Sequence, residues 1–313
     1  MSAVHPESPI FKVLTVPIGL SGPPARLWAQ EEESIEVNGT TLHYVRQGEG
    51  EPVVLVHGSI ADGRVWGFQV AALIDAGFQP ITFTRRYFGT HPWQDEGEMF
   101  TEDIHADDLA AFVDALGLGP VHVVTWSAGG PVAMLAALKN PKLFRSMAHY
   151  EPSLTIAPAT EGGKAEWAEV VGELISAFDP VVETVDSGDV DLGVEQFLDI
   201  VFEWPNFFNR VSPETQQVFL DSGRTITIDM AAPVTEVTCD AMAAFNIPTL
   251  LMVGEDTGFR YFPFVVEEMA RCMPNAVTVV IPGATHGGPM LAADAVNAEI
   301  VKFLREHPDK ADS

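Results

Sequence analysis

The stretch Val121-His122-Val123-Val124-Thr125-Trp126-Ser127-Ala128-Gly129-Gly130 decides the fold. Its opening residues form an apolar, β-rich run, and residues 128–138 are small enough for a helix packed tightly on a sheet. A serine between a buried strand and such a helix has the setting of a nucleophile elbow, where the chain turns sharply and holds the serine in a strained conformation. Gly129 fills the second glycine position of the G-x-S-x-G pattern. Thr125 replaces the first, and its β-branched side chain is expected to crowd the turn.

The flanking sequence alternates strand and helix. Residues 34–37 and 41–45 are short β-rich runs around Asn38-Gly39, a two-residue hairpin signal. Residues 52–57 form a continuous apolar run, as in a strand buried on both faces. Residues 81–84, 145–149, 249–253 and 277–281 read as further strands. Residues 64–76, 102–116, 262–273 and 292–306 read as helices, with Thr101 and Gly117 as caps of the second. This order predicts an α/β fold with a doubly wound, mostly parallel sheet. The alternation fails between residues 153 and 247, where helical pieces fall at 165–178, 194–202 and 213–221. That length is too great for a loop, so a helical cap over 153–247 is expected to interrupt a core of 34–152 and 248–313. Residues 1–33, rich in proline, are expected to be an irregular arm.

Composition narrows the function classes. The chain has 313 residues, 47% of them hydrophobic, with 17 Lys+Arg against 44 Asp+Glu and a net charge of −27. Such a chain folds, and its charge repels nucleic acid and anionic membranes. Its longest N-terminal apolar stretch, residues 10–20, is broken by Lys12, Pro17 and Gly19, so neither a membrane span nor a signal peptide is expected. Cys239 and Cys272 carry no C-x-x-C spacing and are expected as two thiols in a reducing, cytoplasmic setting. No His or Cys pair falls at ligand spacing on one element, and no phosphate-binding glycine loop is present, so no metal or cofactor is expected.

Serine chemistry needs a base and an oxyanion site. His286 stands in Pro282-Gly283-Ala284-Thr285-His286-Gly287-Gly288, past the last predicted strand, at the sheet edge where open α/β sheets place their sites. His57-Gly58-Ser59 follows the earlier buried strand; His57 is expected to shape that loop, and the backbone N–H groups of Ser59 and Ala128 to hold a developing oxyanion. Arg85 and Arg86 are expected to hold cap carboxylates, with an anionic substrate as the alternative. Trp126, Trp204, Phe207 and Phe208 are expected either to line an apolar substrate pocket or to pack as core.

The set formed by His57-Gly58, Ser127-x-Gly129 and the Pro282-Gly283…His286 loop resembles the α/β-hydrolase superfamily over roughly residues 35–306. The resemblance implies a Ser-His-acid triad and an acyl-enzyme. Family members often carry the acid in G-x-x-D after the penultimate strand; here Gly254-Glu255-Asp256-Thr257 places Thr257 at that position and Asp256 one residue early. A second location, the end of the strand after the nucleophile helix, holds Glu151 before Pro152. That placement is similar to zearalenone-type lactonases, and Glu151 is preferred to Asp256. The implied function is hydrolysis of a small, apolar carboxylic ester or lactone. A cofactor-free perhydrolase or C–C hydrolase on the same triad, and a non-catalytic ligand-binding protein, are the alternatives. A monomer or a homodimer is equally compatible.

Overall fold

The computed structural model describes residues 31–308. Eight strands form one sheet: β1 (Glu33–Val37), β2 (Thr40–Arg46), β3 (Glu51–Val56), β4 (Phe78–Thr84), β5 (Val121–Trp126), β6 (Phe144–Tyr150), and, after two short strands β7 (Ile156–Ala157) and β8 (Val237–Thr238) that pair with each other, β9 (Thr249–Gly254) and β10 (Ala276–Ile281). The sheet order is β1-β2-β4-β3-β5-β6-β9-β10. The first two pairings are antiparallel and the remaining five parallel. The chain is therefore an α/β-hydrolase fold with a mostly parallel sheet.

Alternation along β3 shows why both faces are covered. Val54 and Val56 enter one core with the helices Glu102–Leu116, Gly129–Lys139 and Tyr261–Cys272. Val53 and Leu55 enter another with Gly67–Asp75 and Ala293–Arg305. All four valine and leucine side chains are fully buried, which accounts for the unbroken apolar run. Helix Glu102–Leu116 starts where Thr101 Oγ1 accepts the N–H of Ile104 at 3.1 Å and ends at Gly117, whose φ is +64°.

Between β6 and β9 the chain leaves the sheet and forms the helices Glu161–Asp186, Val190–Val201, Pro213–Ser222 and the shorter Ile226–Ala231 and Cys239–Ala243. The first is 26 residues long and runs through Pro180, beyond the stop expected at 178. Phe178, Val181 and Val185 are buried along it, so one apolar face continues across the proline and outweighs the lost N–H.

Two expectations are corrected. Cys239 and Cys272 form a disulfide rather than two thiols, their Cα atoms 5.1 Å apart across 33 residues of sequence. Folding sets a helix of the inserted segment beside the end of Tyr261–Cys272, a proximity no local spacing could encode, and the ground for inferring a reducing compartment is removed. The irregular arm expected to reach residue 33 gives way at Glu33, where β1 begins; its first 30 residues lie outside the described part.

Candidate active site

Ser127 and Glu151 close adjacent parallel strands, β5 and β6, and both have left-handed backbones, with φ of +52° and +43°. Positive φ at a non-glycine residue is costly and collects where surrounding structure fixes a functional geometry. That structure is visible here. The N–H of Ser127 donates to the Tyr150 carbonyl at 3.1 Å, and the N–H groups of Gly130 and Ser153 donate to the Ser127 carbonyl at 2.8 and 3.2 Å. The helix after Ser127 lies hard against β3: a Cβ on Gly129 would stand 2.2 Å from the Val56 carbonyl oxygen. Thr125 does not crowd the turn as expected. Its side chain points to the neighbouring strand, where Oγ1 lies 2.7 Å from Nδ1 of His149, its register partner.

His286 Nδ1 lies 2.7 Å from Glu151 Oε2, and both side chains are buried. Glu151 Oε1 accepts the N–H of Gly254 at 2.7 Å and the hydroxyl of Thr257 at 2.5 Å. Three donors thus satisfy the carboxylate in its charged form. With the Nδ1 proton directed at Glu151, the lone pair of His286 is left on Nε2. Asp256 is exposed, and its backbone N–H donates to Ala284; the structure sets Glu151, not Asp256, against the imidazole.

Two aromatic residues hold the histidine loop. The indole N–H of Trp126 donates to the His286 carbonyl at 2.9 Å, and the hydroxyl of Tyr150 donates to the Thr285 carbonyl at 2.5 Å. Each directly precedes one of the two strained residues, so strand ends and histidine loop are fixed to one another. Phe262 stacks on the imidazole at 3.9 Å. Tyr150, Thr257 and Phe262 escaped the sequence reading; the one signal available was Thr257 occupying the usual acid position.

Ser127 and His286 line one cavity of about 30 Å³ together with Gly58, Ser59, Trp126 and apolar residues of the inserted helices. Those residues are Phe197, Leu198, Val201, Phe202 and Phe219, not the expected Trp204 and Phe207. Phe207 is buried one layer behind, stacked on Phe202 at 3.7 Å, and Trp204 lies under the Arg210 guanidinium at 5.0 Å. Helical periodicity explains the correction: Phe197, Leu198, Val201 and Phe202 share one face of Val190–Val201 and its end.

His57 is fully buried and both its ring nitrogens are engaged. Nδ1 donates to the Gly58 carbonyl at 2.9 Å and Nε2 accepts the Arg85 N–H at 3.0 Å. Burial, then the Arg85 charge, holds its pKa well below the usual value, so it is a neutral loop-former. Arg85 Nη2 donates to the same Gly58 carbonyl at 2.9 Å. Burial lowers the Arg85 pKa to about 10, with the charges of Asp229 and Glu102 opposing. Arg86 does not reach the inserted segment; it pairs with Asp108 of helix Glu102–Leu116 at 2.8 Å. Arg64 and Arg260 do bridge to it: Arg64 is held between Asp62 and Asp221 at 2.6 and 2.5 Å, and Arg260 reaches Glu169 and Glu173 at 3.2 and 3.1 Å.

Among the described residues, the group with metal-ligand spacing is Glu32, His43 and His91, which includes none of the residues above. Its members come from separate segments, which is why a search for pairs on one element missed it. No helix among the described residues is long and apolar enough to cross a membrane.

A family model described as "Alpha/beta hydrolase family" matches residues 53–299. A non-heme chloroperoxidase of Kitasatospora aureofaciens is 28% identical over 280 residues, covering 86% of this chain and 98% of that protein. A bifunctional esterase/perhydrolase of Acinetobacter calcoaceticus is 27% identical over 298 residues, covering 86% and 97%. The solved structure of a thermophilic esterase from Thermogutta terrifontis superposes with a TM-score of 0.68 at 26% identity, covering 88% of this chain and 99% of that one.

Proposed function

Because this chain belongs to the alpha/beta hydrolase family, we propose that it cleaves small carboxylic esters or lactones through an acyl-enzyme on Ser127. The observation carrying this reading is that Ser127 and His286 share a cavity while Glu151 holds the opposite nitrogen of the imidazole. In this reading His286 Nε2 takes the Ser127 hydroxyl proton as Oγ attacks the ester carbonyl. Glu151 fixes the tautomer and stabilises the imidazolium without accepting its proton. The backbone N–H groups of Ser59 and Ala128 receive the oxyanion; a donor of this kind is worth a factor of ~10²–10³ in rate. His286 then protonates the departing alkoxide, and water, activated by the same histidine, releases the acid. The apolar walls of the cavity support an uncharged, apolar acyl group.

A second reading follows from the relative named esterase/perhydrolase: hydrogen peroxide replaces water at the acyl-enzyme and a peracid leaves. Turnover of nitrophenyl esters and lactones of increasing acyl length, with and without hydrogen peroxide, tests both. The ester reading predicts turnover without peroxide and its loss by about 10⁵-fold or more in Ser127→Ala. Turnover retained in Ser127→Ala would contradict it, and peracid formation outrunning hydrolysis would favour the second route.

A further inference from the structure

We propose that Glu32, His43 and His91 form a binding site for one divalent cation of the zinc type, outside the cavity that holds Ser127. Glu32 precedes β1, His43 lies in β2, and His91 lies in the loop after β4. Their three donor atoms fall within 4.8 Å of one another. Glu32 Oε2 is 3.3 Å from His43 Nδ1 and 3.1 Å from His91 Nε2. A tetrahedral ion with bonds of about 2.0–2.2 Å has donor-to-donor edges of about 3.3–3.6 Å, so the carboxylate oxygen already stands at nearly the spacing such an ion requires. The two imidazoles are parallel, their centroids 3.3 Å apart, so both rings turn out of the stack when their in-plane lone pairs meet at one ion.

The donor chemistry suits a borderline cation: two imidazole nitrogens and one carboxylate, with a fourth position open to water. The groups are only partly covered, and clefts of about 280 and 430 Å³ meet at His43, so ion and water have access. Two ligands are also held in place beforehand. His43 is paired in the sheet with Ser34 and Thr84. The His91 carbonyl accepts a hydrogen bond from Arg224 at 2.7 Å. An ion here would tie the entry to β1, strand β2 and the loop beginning at Arg85, so its role is structural and independent of the hydrolase reading.

Calorimetric titration of tag-free, chelator-treated full-length protein with zinc chloride tests the site. One equivalent is expected to bind with micromolar or tighter affinity, and His43→Ala and His91→Ala are each expected to weaken it by about tenfold or more. Both variants should keep the wild-type ester turnover, which also reports that they are folded. Where a variant fails to fold, electron paramagnetic resonance of the wild-type protein with one equivalent of copper(II) decides, two imidazole nitrogens being expected in the hyperfine pattern. Absence of saturable zinc binding, undiminished binding in the His43→Ala/His91→Ala double variant, or a copper spectrum without nitrogen coupling would overturn the proposal.

Discussion

Nδ1 of His286 lies 2.7 Å from Oε2 of Glu151, a contact between residues 135 apart in sequence. Thr257, at the position where relatives often carry an acid, donates its hydroxyl to the other oxygen of the same carboxylate. Of the two acid locations weighed in the sequence, one sets a carboxylate against the imidazole and the other a hydroxyl against that carboxylate.

Glu151→Gln removes that charge and presents an amide to the imidazole. Its kcat is expected to fall by about 10³–10⁴-fold, whereas Asp256→Asn, at an exposed side chain, should leave turnover near wild type. Steady-state rates on one ester decide the matter, and the opposite ranking would transfer the acid role to Asp256.

Gly129→Ala places a methyl group 2.2 Å from the Val56 carbonyl oxygen, a backbone atom that cannot move without shifting β3. Destabilisation of about 3 kcal/mol is expected from overpacking. Urea unfolding of the purified variant measures it; a midpoint unchanged from wild type would mean that helix and strand are not in this contact.

The Cys239–Cys272 bond closes a loop of 33 residues, for which chain entropy gives about 3–4 kcal/mol of stabilisation. Cys239→Ser should therefore melt several degrees below wild type under non-reducing conditions. Thiol titration of the denatured, unreduced protein should find no free thiol; two thiols per chain would rule the bond out.

Burial pushes the Glu203 carboxyl up to about 7, with the charges of Glu151 and Asp256 adding and the Gly258 N–H opposing. Its Oε1 has no hydrogen-bond partner. Between its ordinary value of 4.5 and about 7 the folded chain holds a proton that the unfolded chain has released, so this group's contribution to stability falls as pH rises through that window. Glu203→Gln keeps an acceptor for Gly258 and removes the fall. The variant should melt about 2–4 °C above wild type near pH 8 and level with it near pH 4.5, solvent screening at a partly exposed site keeping the shift small. An equal difference at both pH values would contradict the assignment.

The sheet was readable in the sequence because β3 and β5 are buried on both faces and their apolar runs have no competing pattern. Ser127 and His286 were readable because their loops abut such strands. Glu151 was reachable only through a resemblance, since nothing local distinguishes it among 44 acids. What remained hidden depends on tertiary proximity. Tyr150 and Trp126 act on a loop 135 and 160 residues away. The cavity wall comes from Phe197–Phe202 rather than Trp204 and Phe207 because the helix face, not aromatic clustering, decides what points at Ser127. Cys239 and Cys272 met for the same reason.

In the proposed reaction Ser127 is a nucleophile activated by His286. Intact-mass measurement after incubation with a fluorophosphonate probe tests it most directly. One adduct per chain is expected, located on Ser127 by peptide mapping, absent in Ser127→Ala and slowed severely in His286→Ala. No adduct on the wild-type protein, or an adduct that persists in Ser127→Ala, would contradict the claim.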